Sequence, residues 1–406
     1  MKIHLAQEVG VFLLSLTAPF LLCAMNNFPA VQKSEVILPM GAVVLLSVFL
    51  LLYFTMRHKK AVDPLFYVCS SQSSLRLGWR LRDVCPFCLD ARQRQCFAEL
   101  SFTCMVGLTN ALEQDGYIKG FMDFYLRKGE PYLSTSYAIM MSYWDGTVHF
   151  SLQLLMVRRM AQGKSFRSLG LFWAGSSIAN QIVFIPGIVI GKYGSNILPA
   201  FWRNIPFLLL PIWSAVTLLC RPRELPVIPA DQVAEQQKKS VLTRPVDLLL
   251  SLMLLGGMAL TLLRAFVVLD CRLDVCFTYI YQYEPYLKDN VAFSKVMMLV
   301  FLFYALPLMA ACVCGLGTPG SSWMLDWTLL FAGAMAQAQW CHIGGSLHSR
   351  TPFTYRIPSD AWRGVMGLNV AYAAVPILLA LRCALRPAYF MPAVPKGQAD
   401  KEKKQK

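Results

Sequence analysis

Glu130-Pro131-Tyr132-Leu133 recurs as Glu284-Pro285-Tyr286-Leu287, 154 residues further along the chain. The echo continues. Leu171-Phe172-Trp173-Ala174-Gly175 answers Leu329-Leu330-Phe331-Ala332-Gly333 at an offset of 158, and Gln181 and Gly187 answer Gln339 and Gly345 at that same offset. Asn204 stands seven before Pro211, as Asn369 stands seven before Pro376. Four correspondences in one order mean an internal duplication, and a duplicated apolar unit fits a transporter as well as a duplicated binding fold.

Composition gives the units their setting. Residues of the AVILMFWYC set make up 56% of the chain, and charged residues only 15% against about 25% in soluble domains. Most of the 406 residues therefore cannot face water, which excludes a disordered chain and a nucleic-acid binder. Ten apolar stretches are near the roughly 20 residues that cross a bilayer. They run over 9–25, 36–56, 97–112, 137–156, 168–191, 197–219, 246–269, 291–316, 323–345 and 364–385. The first also fits a signal peptide, but Met25-Asn26-Asn27-Phe28 is a poor small-residue cleavage site. The predicted fold is an all-α polytopic membrane protein. Two N-terminal helices (1–60) precede a first four-helix repeat (61–219), a linker (220–243), a second repeat (244–385) and a basic tail (386–406).

The net charge of +15 then reads as topology. With ten spans both ends share a side, and the loops and ends on that side carry nineteen Lys and Arg against ten opposite. The positive-inside rule puts both termini in the cytosol. The tail ends Lys401-Glu402-Lys403-Lys404-Gln405-Lys406. Lys403 and Lys404 resemble the dilysine signal bound by the retrieval coat that returns proteins to the endoplasmic reticulum; the alternative is a solvated basic tail.

Several long segments carry a family resemblance: Asp115 to Leu133 (DGYIKGFMDFYLRKGEPYL), Tyr143 to His149 (YWDGTVH), Val267 to Leu287, Ala336 to His342 (AQAQWCH) and Thr351 to Pro358. Through them nearly the whole chain resembles the transmembrane 6 superfamily, more closely its member 2 branch. That family's two repeats are EXPERA domains, shared with the emopamil-binding sterol isomerase and the sigma-2 receptor. The resemblance implies a protein of the endoplasmic reticulum membrane or of the adjoining intermediate compartment. It would support triglyceride loading of secreted lipoproteins and affect lipid droplets and cholesterol. The implied partners are a membrane lipid or sterol ligand and the lipoprotein assembly machinery, with no cofactor.

One stretch departs from the family pattern, which would run from Asp63-Pro64-Leu65-Phe66-Tyr67 directly into Phe97. Here residues 69–96 intervene, with Arg76, Trp79, Arg80, Arg82, Asp83, Asp90 and Arg92 among them, all unsuited to hydrocarbon. Cys85-Pro86-Phe87-Cys88 within it is a lone CxxC pair, too few ligands for a structural metal.

The resemblance also bears on chemistry. In the sterol isomerase a His-Gly-aromatic-Ile-Glu run supplies part of the acid–base machinery. The matching stretch is Asp115-Gly116-Tyr117-Ile118-Lys119, so both catalytic side chains are replaced, and Arg264-Ala265-Phe266-Val267-Val268 of the second repeat lacks them too. No catalytic residue is expected.

The lipid-binding candidates are Asp115, Lys119, Asp145, His149, Asn204, Gln181, Gln339, His342 and Asn369. Asp145 and His149 lie one turn apart on one helix face. A carboxylate inside a membrane is a functional candidate by default, and the alternative is a pair that fastens two helices. Glu130 and Glu284 read as first-turn carboxylates at positive helix ends. Gln181, Gln339 and His342 read either as interhelical hydrogen bonds or as lipid contacts. Cys271 and Cys276 sit five apart in a loop assigned to the oxidising lumen, where a disulfide can persist; the alternative is two free thiols. Three function classes follow: non-catalytic lipid binding or scaffolding, an isomerase-like enzyme using Asp115 or Asp145, and a lipid transporter or scramblase.

Overall fold

The computed structural model of the chain describes residues 2–29, 33–57, 86–221, 223 and 225–392, and every regular element among them is helical. Lys403 and Lys404 lie outside the described residues, as does most of the segment 69–96. Chain order begins with α1 (Lys2–Ser15), α2 (Thr17–Asn27), α3 (Ser34–Arg57), α4 (Pro86–Gln114) and α5 (Asp123–Lys128). Next come α6 (Ser136–Trp144), a π-helical turn (Asp145–His149), α7 (Phe150–Ala161), α8 (Arg167–Ile190), α9 (Asn204–Cys220) and α10 (Ala230–Gln237). The second repeat holds α11 (Pro245–Val268), α12 (Asp274–Gln282), α13 (Phe293–Val300), a second π turn (Phe301–Ala305), α14 (Leu306–Gly317), α15 (Met324–Leu347) and α16 (Trp362–Leu385).

All ten apolar stretches are helical, and the duplication is visible in how they end. Helix α4 stops at Gln114 and α11 at Val268, again 154 apart, and the residues two beyond, Gly116 and Asp270, both take positive φ, +82° and +59°. The two π turns are offset by 156, between the offsets of the flanking motifs. A π turn widens a helix by one residue and redirects the side chains it carries. Pro211 and Pro376 lie inside α9 and α16, where each removes a backbone donor.

Seven helical stretches among the described residues are long and apolar enough to cross a membrane: Val9–Asn27, Ser34–Leu52, Arg167–Ile190, Pro199–Cys220, Pro245–Val268, Phe293–Gly317 and Trp362–Leu385. The stretches 97–112, 137–156 and 323–345, expected to be spans, fall short of that standard. For α15 the reason is shelter. Asp326, Gln337, Gln339 and His342 lower its apolarity, yet all are buried, so the helix presents little perimeter to a solvent of either kind.

Two compact units are present: residues 1–134, 142–169 and 198–203 form one, and 135–141, 170–197 and 204–406 the other. They cut across the repeats, because α8 of the first repeat belongs to the second unit. In the first unit α1, α2 and α3 lie along α4, and α1 also meets α7, with the Phe12 and Phe150 rings 6.1 Å apart. Asn26 of α2 donates to the Gly120 carbonyl (2.9 Å) and accepts the Phe124 amide (3.3 Å), tying the loop after α4 to the N-terminal helices.

In the second unit α8 and α15 cross through the duplicated glycines. A methyl group on Gly175 would collide with the backbone of Leu330, and one on Gly333 with that of Phe172. Small residues at such a crossing let two backbones approach, which is how helices gain packing where lipid supplies no hydrophobic drive. Tyr137, Phe184 and Phe293 stack nearby, Tyr137 and Phe293 at 4.7 Å and 17°. Gly187 and Gly345, the other duplicated pair, make room for the Phe293 ring and the Tyr286 hydroxyl. At the far end of α11, Asp247 pairs with Arg244 and with Arg382 (2.6 and 2.9 Å), and the Arg244 guanidinium lies 3.6 Å over the Tyr389 ring.

Candidate functional site

Each duplicated glutamate is the centre of a buried polar cluster. In the second unit Glu284, 1% exposed, sits at the start of a short 3-10 turn, where Pro285 fixes the backbone and aims the carboxylate inward. Arg264 from the last turns of α11 reaches it twice, Nε to Oε2 at 3.0 Å and Nη2 to Oε1 at 2.5 Å. Asn369 of α16 donates to Oε1 (2.7 Å), and the Tyr279 hydroxyl of α12 to Oε2 (2.9 Å). His342 of α15 stands 3.5 Å from Oε1. Burial alone would raise the pKa of this carboxyl. Arg264, then His342 and Asn369, outweigh it and hold Glu284 ionised well below the ordinary carboxylate range.

The first unit repeats the theme with different parts. Glu130, also 1% exposed, accepts from the Tyr125 hydroxyl, from the Tyr132 hydroxyl (2.7 Å) and from Arg203 Nη2 (2.7 Å). Arg203 lies 5.1 Å over the Tyr125 ring, and its side chain is 30% exposed where that of Arg264 is 1%. Tyr125 and Tyr279 are equivalent, each five residues before its glutamate. The arginines are not. Arg264 stands at the position of Asn110, which donates to the Leu133 carbonyl (3.3 Å) and the Ser142 hydroxyl (3.4 Å). Arg203 comes instead from the residue before Asn204. Asn204 is buried at the head of α9, while its counterpart Asn369 binds Glu284 directly.

Both glutamates are thus fully engaged by cations and hydroxyls, so the first-turn role expected for them is replaced by a cross-helix one. The polar atoms still lacking a hydrogen bond are uncharged or donors. Among the described residues these include both amide atoms of Gln339, Oε1 of Gln181, Nδ1 of His342 and Nη1 of Arg264. Gln339 and His342 are three apart on α15 and both are at least 99% buried, so their side chains occupy one face. Buried polar groups without partners are rare in native proteins, and each asks for a ligand or a water.

Asp145 and His149 meet as expected, but within one helix. His149 Nδ1 is 2.7 Å from Asp145 Oδ1, and Trp144 Nε1 donates to His149 Nε2 at 3.2 Å. The indole N–H can only donate, so Nε2 is the acceptor and the ring proton sits on Nδ1, facing the carboxylate. The pair closes the π turn and does not fasten two helices. Gly146 in that turn packs against Leu108 of α4.

Known proteins match the chain over most of its length. A protein named transmembrane 6 superfamily member 2 from Homo sapiens is 41% identical over 392 residues, 97% of each chain. The chain belongs to the transmembrane 6 superfamily. Proteins of the same name from Mus musculus and Rattus norvegicus are each 48% identical over 310 residues, covering 76% of this chain and 82% of theirs. The transmembrane domain described as transmembrane 6 superfamily member 2-like matches residues 17–75 and 94–229, and the EXPERA domain (expanded EBP superfamily) matches 274–383. The break at 76–93 lies inside the segment set apart above. No solved structure matches the chain.

Within this transmembrane 6 superfamily fold, two expected site residues are displaced. Asp115 and Lys119 lie beyond the end of α4, exposed in a loop. Asp115 accepts from the Tyr143 hydroxyl (2.7 Å), and the loop is closed by Glu113, which accepts the amides of Gly120, Phe121 and Met122. Helix ends 154 apart show the cause: the bundle-facing equivalent of Arg264 is Asn110, five residues earlier than Asp115. Cys271 and Cys276 are free thiols in contact, the Cys276 thiol raised in pKa by its hydrogen bond with Cys271 and by burial. Among the described residues no three His, Cys, Asp or Glu side chains are grouped to hold a metal.

Proposed function

We propose that this protein binds a neutral lipid bearing a hydroxyl group, sterol included, without chemically altering it. The binding serves a role in the endoplasmic reticulum membrane, where it supports triglyceride loading of secreted lipoproteins and affects lipid droplets and cholesterol. The observation that carries this reading is the division of labour inside the second repeat. Glu284, the carboxylate at the centre of that cluster, is neutralised by Arg264 and hydrogen-bonded on both oxygens, so it is committed to structure and not held ready for proton transfer. Gln339 and His342 keep donor and acceptor atoms unspent in a water-poor interior. A hydroxyl both donates and accepts, so it satisfies such a pair where an amine or carboxylate would leave a charge uncompensated.

Mass spectrometry of lipids retained by the purified protein tests the reading, with Gln339→Leu as the variant. Retained hydroxyl lipid should fall while the melting temperature holds; unchanged lipid content would remove Gln339 from the site. Incubation with labelled sterols should return them unchanged, and a shifted double bond would establish an enzyme. The loop charge bias supports a cytosolic position for both termini. A tag after Lys406 should be cleaved by protease when only the plasma membrane is permeabilised.

A further inference from the structure

The loop and helix that follow α11 present an apolar face where the equivalent segment after α4 presents charge. At the offset of 154, Asp115, Lys119, Asp123 and Arg127 correspond to Leu269, Leu273, Phe277 and Tyr281. All eight side chains are exposed, so the exchange is not between core and surface. It is a change in what the same surface meets. Leu269, Leu273 and Phe277 are 59%, 66% and 63% exposed, a concentration of apolar area that water alone would penalise at about 25 cal/mol per Å².

Three further observations say what covers it. First, the face continues the outer perimeter of α11, where Leu249, Leu252, Leu255, Leu262 and Phe266 are exposed along a helix long and apolar enough to cross a membrane. Second, the 24 residues of α11 rise about 36 Å, more than the roughly 30 Å of hydrocarbon, so the chain has left the core when it turns at Asp270. The 9 residues of α12 are too few to re-cross, and Cys276 and Ile280 hold its other side against the protein. Third, the rim is built for headgroups. The Tyr281 and Phe277 rings lie 4.4 Å apart, tilted by 45°, and Lys288 donates to the Tyr281 hydroxyl with its ammonium 4.2 Å from the ring, an aromatic-and-cation edge of the kind found at membrane interfaces.

We infer that α12 is an interfacial helix: Leu269, Leu273, Phe277 and Tyr281 lie in the boundary between acyl chains and headgroups of the bilayer, on the side where α11 ends. The equivalent loop of the first repeat stays in water. This rests on α11 crossing the membrane and not on the lipid-binding reading above. The occupant is the bilayer itself and not a second copy of the chain.

The full-length protein carrying a benzophenone side chain at position 277, reconstituted in phosphatidylcholine nanodiscs and illuminated, tests it. The expected product is a phospholipid adduct on the α12 peptide, with that adduct lost when the benzophenone is placed at position 123. A benzophenone at 273 gives the same reading should the 277 variant fail to fold. A cross-linked dimer, a cross-link back to the same chain, or equal lipid adducts at 277 and 123 would each overturn the assignment.

Discussion

The outer faces of α4 and α11 occupy the same place in their repeats and are dressed in opposite ways. Ala98 and Ser101 of α4 are fully buried, whereas their counterparts Leu252 and Leu255 of α11 are 57% and 49% exposed. The difference follows from α1, α2 and α3, which lie along α4 and have no counterpart before α11. A helix wrapped by neighbours can be built of small and polar residues; one facing lipid must supply its own leucines. The polar clusters differ in the same spirit. Glu284 is closed off by an arginine from inside its own bundle, and Glu130 by one that is partly open to its surroundings.

That contrast predicts unequal costs of disarming the two glutamates. Arg264→Met leaves a charge buried without its cation and should cost about 3–5 kcal/mol of stability, read as a lower melting temperature in nanodiscs. Arg203→Met should cost about half as much, because the Arg203 side chain is 30% exposed and its loss would open Glu130 to solvent. Equal costs would mean the two clusters are energetically alike. The pairing of Arg264→Met with Glu284→Leu should recover most of the loss, since it removes the stranded charge.

Acid titration separates Glu284 further. Its carboxyl is held below its unfolded value of about 4.3, so the stability it contributes is fully present above that pH and is lost as pH falls toward the folded value. Melting temperature should therefore be insensitive to Glu284 between neutrality and about pH 5, and decline below. Glu284→Gln should be less stable at neutral pH and show a shallower acid slope. A slope identical to wild type would assign the acid loss to other groups.

Smaller effects are expected at the helix crossing and at the π turn. Gly333→Ala forces two backbones apart and should cost about 1–3 kcal/mol, while Gly364→Ala, with open space around it, serves as the neutral control. Asp145→Asn removes an intrahelical i,i+4 pair and should cost about 0.5 kcal/mol. A fall in retained lipid at unchanged stability would return Asp145 to the site. Thiol labelling of the non-reduced protein adds a covalent check: full modification of both Cys271 and Cys276 would exclude a bridge between these touching thiols.

Much of the architecture was legible because duplication and apolar runs are one-dimensional signals. The EPYL motif located both glutamates, and Tyr125 and Tyr279 were within reach of the same comparison, sharing its offset. The arginines were not. Arg203 and Arg264 descend on their glutamates from different helices, so no alignment of the repeats pairs them, and each looked like an ordinary charge near a span end. Asp115 and Lys119 were misplaced for a related reason: a resemblance of residue types was stronger than the helix boundary, which only the positive φ at Gly116 and Asp270 makes plain. Helix α15 escaped the apolarity criterion because burial, not composition, decides what an interior helix needs.

The crossing of α8 and α15 has a consequence for symmetry. Gly175 touches the residue three before Gly333, and Gly333 touches the residue three before Gly175. Contacts that exchange in this way are the mark of an isologous interface, the kind formed when two identical subunits meet about a twofold axis. A single repeat carrying this helix would present the complete surface for pairing with its own copy, and the duplicated chain holds both halves of that self-complementary surface in one polypeptide. With both sides in one chain the exteriors need not match, one sheathed by extra helices and the other apolar, whereas the crossing leaves room for glycine alone on each side.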